Sequence, residues 1–317
     1  MRQRNLATEN IRNKIEIITD SLGQYLQGKA TSLRLSLISF FSGGHLLIED
    51  LPGLGKTTLA IGIAKALGLS FGRIQCTSDL LPTDITGLSI YNKTTGEFKF
   101  HQGPIFSNIV LCDEINRATP KTQSALLEAM AEKQVTIEGK TYRLPDIFCV
   151  IATQNPIEQY GTFPLPESQL DRFMMKISIG YPSHQAEKEI LKIGSTQEVL
   201  NAIEPVMVPE EVRFIQEDIE KNIYVSDKIL DYALAIIHAT RQYDLLAAGL
   251  STRGGLTLIN TAKTNAYFQG RDFVIPEDIK ELAEFTIPHR VLFKEEYENI
   301  NKRGIIKSFI EELPTPA

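Results

Sequence analysis

No tryptophan occurs among the 317 residues, cysteine appears three times, and no apolar run is long enough to cross a bilayer. A membrane helix needs about 18–20 continuous apolar residues, so membrane insertion is not expected. The N-terminus, MRQRNLATENIRNKIEI, is basic but has no apolar segment behind it, and so does not read as a secretory signal. Cys76, Cys112 and Cys149 each lie in an apolar run and share no metal-like or CxxC spacing. Buried free thiols in a reducing, cytoplasmic compartment are the expectation. Positive charge is also scarce: 33 Lys and Arg against 39 Asp and Glu leave a formal charge of -6. That deficit and the missing tryptophan weigh against a dedicated nucleic-acid binder, although a local basic loop is compatible with an acidic total.

What is present suits a soluble globular chain of two domains: 43% hydrophobic and 23% charged residues. Five short apolar runs have the character of buried parallel strands, at 45–49, 71–76, 109–113, 147–152 and 174–179. Residues 56–67 read as a helix closed by Gly68. Residues 120–132 read as another, with Thr119 able to cap it and Pro120 suited to its first position. Such alternation implies a doubly wound α/β domain. Two segments interrupt it with hairpin signatures: 88–100 around Thr95-Gly96, and 134–144 around Glu138-Gly139. The turn Gly180-Tyr181-Pro182-Ser183 marks a boundary, dividing the chain into 1–183 and 184–317. Beyond it the pattern is helical, at 184–194, 209–222, 226–242, 252–269, 276–287 and 303–313, with no strand evident. Residues 1–40 also read as helical.

The chemistry concentrates between the first and third strands. Asp50-Leu51-Pro52-Gly53-Leu54-Gly55-Lys56-Thr57-Thr58 approximates GxxxxGK[ST] between a strand and a helix, the Walker A context. Gly53 and Gly55 allow successive N–H groups to converge on an anion. Lys56 would reach the β- and γ-phosphates of ATP, and the Thr57 hydroxyl would ligate Mg²⁺. Asp50 stands where the first glycine is usual, and a carboxylate there would repel phosphate unless it points away. Ile109-Val110-Leu111-Cys112-Asp113-Glu114 is a buried strand ending in two acids, the Walker B arrangement. Asp113 would hold the Mg²⁺ and Glu114 would act as general base on the attacking water.

IEDLPGLGKTT, VLCDEINRA, ATQNP at 152–156, LPESQLDRF at 165–173 and STRGG at 251–255 occur in an order and spacing that together resemble the MoxR branch of AAA+ ATPases. The resemblance covers nearly the whole chain. It implies an α/β P-loop NTPase (AAA+) core with a five-stranded parallel sheet, followed by a C-terminal all-α lid. By the same resemblance, Asn155 is the sensor-1 residue that orients the attacking water. Arg172 is an arginine finger reaching the neighbouring subunit's ATP, and Arg253 is the sensor-2 arginine, contacting the γ-phosphate in cis. The two hairpins correspond to the helix-2 insert and the pre-sensor-1 hairpin, with Tyr91, Phe98, Phe100, Lys140 and Tyr142 as candidates for gripping a partner.

The function so implied is a homo-oligomeric ATPase, a hexamer, that remodels or matures a protein client. Metal-cofactor insertion and a von Willebrand A-domain partner also belong to that picture. Two alternatives stay open at this level: a nucleic-acid motor, against which the charge balance speaks, and a magnesium-chelatase-like motor subunit.

Overall fold

Apolar strands with no solvated face must be covered on both sides, and the computed structural model shows how the helices do this. It describes residues 13–23, 26, 28–94, 96–157, 161–194, 200–297 and 300–316. Residues 1–12, part of the expected N-terminal helical segment, and Thr95 of the first expected turn lie outside the described residues.

Helices α1 (13–23) and α2 (Ala30–Phe41) lead into β1 (Leu46–Glu49), α3 (Lys56–Ala66) and β2 (Phe71–Gln75). A single turn of helix, α4 (Pro82–Thr86), precedes the first hairpin, β3 (Gly87–Asn92) and β4 (Glu97–Gln102). Then follow β5 (Ile109–Asp113), α5 (Pro120–Glu132), the second hairpin β6 (Gln134–Ile137) and β7 (Lys140–Arg143), and β8 (Cys149–Gln154). A short α6 (Glu167–Leu170) and β9 (Met175–Ile177) complete this half.

The five expected strands form one parallel sheet in the order β2-β5-β8-β1-β9. Side chains alternate between its faces. Leu46, Ile48, Ile109, Leu111 and Ile151 join one apolar cluster, while Leu47, Val110, Val150 and Ala152 join the other. All five residues of β5 are buried, as a central strand requires. The chain passes from β1 over to β2 and works back through β5 and β8, so the carboxyl ends of β1, β5 and β8 lie side by side. Ligands of open α/β sheets bind at that edge.

Both hairpins stand where their turn chemistry places them. In the second, Glu138 (φ +51°) and Gly139 (φ +78°) both adopt left-handed backbone, as a tight two-residue turn demands. Phe100 of β4 stacks on Tyr142 of β7 with centroids 4.4 Å apart, and Phe106 meets both rings edge-on. Phe100 and Tyr142 therefore tie the hairpins together and are half-buried. Tyr91 (51% exposed) and Phe98 (70% exposed) pair across the first hairpin and remain open to solvent.

The second half comprises α7 (His184–Ile193), α8 (Pro209–Asn222), α9 (Asp227–Gln242), α10 (Thr252–Phe268), α11 (Pro276–Thr286) and α12 (Lys302–Glu312). A two-stranded pair, β10 (Leu246–Ala248) with β11 (Leu292–Phe293), lies among them and departs from the expected all-helical pattern. Strands of two and three residues are too short to show a period of two. The apolar cluster on one sheet face continues through α2 into α8–α12, including Leu258, Leu282 and Ile306. The helical half thus shares its core with the sheet. None of the described helices is long and apolar enough to cross a membrane.

Candidate functional site

The loop after β1 turns on two glycines. Gly53 (φ +85°) and Gly55 (φ +91°) are left-handed, and a Cβ on either would meet no atom within 4 Å. The space beside both is open, which suits a backbone cradle that a ligand approaches closely. The first helical bond of α3 runs from Leu59 N–H to Gly55 O at 2.9 Å. The N–H groups of Lys56, Thr57 and Thr58 therefore have no acceptor within the helix, the usual condition of a helix start.

Asp50 occupies the position of the missing glycine without opposing an anion. Asp50 is 7% exposed, and its carboxylate points toward the end of β9. There it accepts hydrogen bonds from Ser178 Oγ at 2.8 Å, from Ile179 N–H and from Gly180 N–H at 3.3 Å. The Asp50 carbonyl accepts from Lys56 Nζ at 2.6 Å. Restoring the usual glycine by Asp50→Gly is expected to cost about 2–4 kcal/mol, because three donors lose a charged acceptor. A fall in the urea midpoint at unchanged m-value would show this, and an unchanged midpoint would refute it.

The cradle opens into a cavity of about 440 Å³ that is also bordered by Asp113, Glu114 and Thr153. Lys56 is pulled below the ordinary lysine pKa by burial, while Asp50, Asp113 and Glu114 oppose that shift. Asp113 Oδ2 accepts from Arg73 Nε at 2.9 Å, and its Oδ1 lies 3.4 Å from Thr153 Oγ1. Glu114 adopts left-handed backbone (φ +57°, ψ +51°), which is uncommon for a residue with a side chain. Its N–H donates to Thr153 Oγ1 at 2.9 Å, and its Oε2 accepts from Arg117 Nη1 at 2.9 Å. The strand end thus aims two carboxylates differently, one held by Arg73 and one by Arg117.

Several lining residues were not anticipated. Leu26, Pro182 and Ile190 form an apolar part of the wall, from the N-terminal segment, the turn before α7 and α7 itself. Lys29 also borders it and is buried, donating to Ile179 O at 3.2 Å and to Gly180 O. Burial holds its pKa below the ordinary value, against the pull of Asp50 and Glu187. Arg73 had a visible signal, a charge inside an otherwise strand-like run. Lys29 had none, because its partners lie 150 residues away.

Three expected site residues lie elsewhere. Asn155 follows β8, but its Oδ1 accepts from Ile157 N–H at 3.2 Å, closing a turn. Arg172 follows α6 and donates to Leu127 O on α5. Arg253 stands in the first turn of α10 with its side chain 62% exposed, 3.8 Å from Asp171. Neither arginine is among the residues that border the cavity of its own chain. Both instead flank Asp171.

The thiols are buried as expected, and Cys76 and Cys112 meet at 3.0 Å. The contact with Cys76 and burial raise the Cys112 pKa well above its ordinary value, and burial pushes Cys149 to about 12, so neither is a ready nucleophile. Among the described residues no cluster of three His, Cys, Asp or Glu could hold a metal by itself. A hydroxyl and one carboxylate at a phosphate cradle fit Mg²⁺, which keeps water and phosphate oxygens as its other ligands.

Comparison with known proteins places this arrangement. Residues 45–175 match the ATPase family associated with various cellular activities (AAA), and residues 238–308 match the AAA lid domain. The chain is 44% identical to the uncharacterized protein YeaC of Bacillus subtilis, over 94% of this chain and 93% of that one. It is 42% identical to chaperone MoxR1 of Mycobacterium tuberculosis, over 81% of this chain and 70% of that one. The crystal structure of a candidate ATPase from Cytophaga hutchinsonii matches with a TM-score of 0.92 at 39% identity, covering 100% of this chain and 99% of that one.

Proposed function

The chain belongs to the MoxR family of AAA+ ATPases and hydrolyses ATP, and from that premise we propose that it works as a homo-oligomeric ring, a hexamer, that remodels protein complexes. One observation carries the reading: the cradle and both acids meet in one cavity, while Arg172 and Arg253 lie outside it. A single chain supplies the binding half of a site and presents two arginines to something else. A head-to-tail ring brings the two together.

In this reading Gly53, Leu54, Gly55 and Thr58 hold the triphosphate through backbone N–H groups, Pro52 shapes the loop that leads into them, and Lys56 reaches the β- and γ-phosphates. Thr57 and Asp113 hold Mg²⁺, which neutralises phosphate charge when bound. Glu114 accepts a proton from water as its oxygen attacks the γ-phosphorus and the bond to the ADP oxygen breaks. Asn155 orients that water after releasing the Ile157 N–H. Leu26, Pro182 and Ile190 offer an apolar wall for the adenine base. Arg172 and Arg253 stabilise charge at the neighbouring nucleotide, so that Arg253 acts in trans.

The boundary between residues 183 and 184 then divides the ATPase half from the lid. Tyr91 and Phe98 on the exposed hairpin are the groups with which a protein client is gripped. A cytoplasmic location accords with three buried free thiols. Metal-cofactor insertion and a von Willebrand A-domain partner remain part of the proposal through the MoxR likeness alone.

Lys56→Ala is expected to abolish measurable binding of a labelled ATP analogue, with the fold intact by circular dichroism. Wild-type affinity in that variant would overturn the assignment of the cradle. Specific activity should also rise with protein concentration as rings assemble. Activity independent of concentration, with only monomers on sizing in ATP, would rule out the shared site.

A further inference from the structure

Arg290 follows α11 and carries a buried guanidinium. Its side chain is 2% exposed, and burial pulls its pKa down to about 10 despite the opposing carboxylate of Asp171. A buried guanidinium is costly unless its donors are satisfied. Here they are spent mainly on one short stretch of chain. Nε lies 3.0 Å from Asp171 Oδ1, an ion pair without the alignment of a hydrogen bond. Nη1 donates to Met174 O at 3.1 Å, and Nη2 donates to Phe173 O and, at 3.4 Å, to Asp171 O. Nη1 also donates to Thr286 O at the end of α11, fixing the arginine to the lid. His289 adds a ring-nitrogen contact to Phe173 O at 3.0 Å. The lid thus grips residues 171–174 from both sides of Arg172, whose own guanidinium is turned to Leu127 O on α5. The same Asp171 carboxylate lies 3.8 Å from Arg253.

We propose that Arg290 is a positioning residue: through Asp171 and the carbonyls of Phe173 and Met174, it sets where Arg172 and Arg253 stand for the adjacent subunit. Its loss is therefore felt in the neighbour's turnover and not in nucleotide binding by its own chain. This rests on the reading of Arg172 as a group acting in trans. The planar fork is essential, because several donors in fixed directions hold Asp171, Phe173, Met174 and Thr286 at once. Lysine keeps the charge and loses that geometry.

The test uses full-length chains mixed in pairs. Arg290→Lys alone is expected to lower kcat by about 10–100-fold, the scale of a small misplacement at a reacting centre, with KM for ATP nearly unchanged. Lys56→Ala alone is inactive, yet presents normal Arg172 and Arg253. Mixed one to one, the two should recover up to about half of the wild-type rate per Arg290→Lys chain, since each then has a Lys56→Ala neighbour about half the time. A merely structural defect in Arg290→Lys would not be repaired by a neighbour. Absence of recovery, or a rise in KM in step with the fall in kcat, overturns the inference. Arg172→Ala mixed with Lys56→Ala is the control. Recovery there without recovery for Arg290→Lys defeats this inference alone, whereas silence in both mixtures defeats the trans reading as well. Should Arg290→Lys melt markedly earlier than the wild type, Asp171→Asn, which keeps the shape and removes the charge, carries the same expected recovery and the same overturning result.

Discussion

Arg172→Ala is expected to lower ATP turnover by about 10³–10⁵-fold while leaving ATP affinity close to that of the wild type, the scale established for arginine fingers. Among the described residues, the Arg172 guanidinium donates a hydrogen bond to Leu127 O. Losing it costs about 1 kcal/mol, too little to unfold the chain. The guanidinium does not border its own cavity, so the early loss is not of substrate binding. In the proposed ring its effect arises where negative charge spreads over the transferring phosphoryl oxygens of a neighbouring chain, once the guanidinium has left Leu127 O. Steady-state phosphate release, read alongside binding of a labelled nucleotide, separates the two effects. Turnover within about threefold of the wild type would remove Arg172 from the mechanism.

Glu114→Gln is expected to retain ATP and to lower turnover by about 10²–10⁴-fold, the range for loss of a general base. Glutamine keeps the shape of the side chain and an oxygen able to accept from Arg117 Nη1, so the left-handed backbone at Glu114 and the Thr153 contact with its N–H should survive. It cannot take a proton from water. Removing one negative charge beside the cradle also leaves the triphosphate no worse held, since Glu114 is among the carboxylates acting on Lys56. The variant should therefore populate an ATP-bound state, detectable as slow release of unhydrolysed nucleotide. Wild-type turnover would end the general-base assignment. So would a matching loss of affinity, which would make Glu114 a binding group.

How far these residues were legible in advance depended on how local their arrangement is. The cradle from Pro52 to Thr58 is contiguous, so left-handed glycines followed by a helix start could be read from order alone. The same holds for the second hairpin turn at Glu138-Gly139 and for Asp113 and Glu114 at the end of an apolar strand. Short continuous apolar runs likewise gave away all five sheet strands, while β10 and β11 were too short to leave a pattern.

Direction was another matter. Whether Asp50 threatens or spares an anion was decided by Ser178, Ile179 and Gly180, which lie 128–130 residues further along. That Arg73 holds Asp113, that Lys29 joins the cavity, and that Arg290 grips the segment around Arg172 are likewise contacts between distant parts of the chain. Arg253 could be named as an important arginine, but its place 3.8 Å from Asp171 could not. Order along the chain, through backbone preference and hydrophobic period, determined the elements and the phosphate loop. Only tertiary packing decided where each charged side chain points, because a buried charge goes where distant donors and carbonyls can satisfy it.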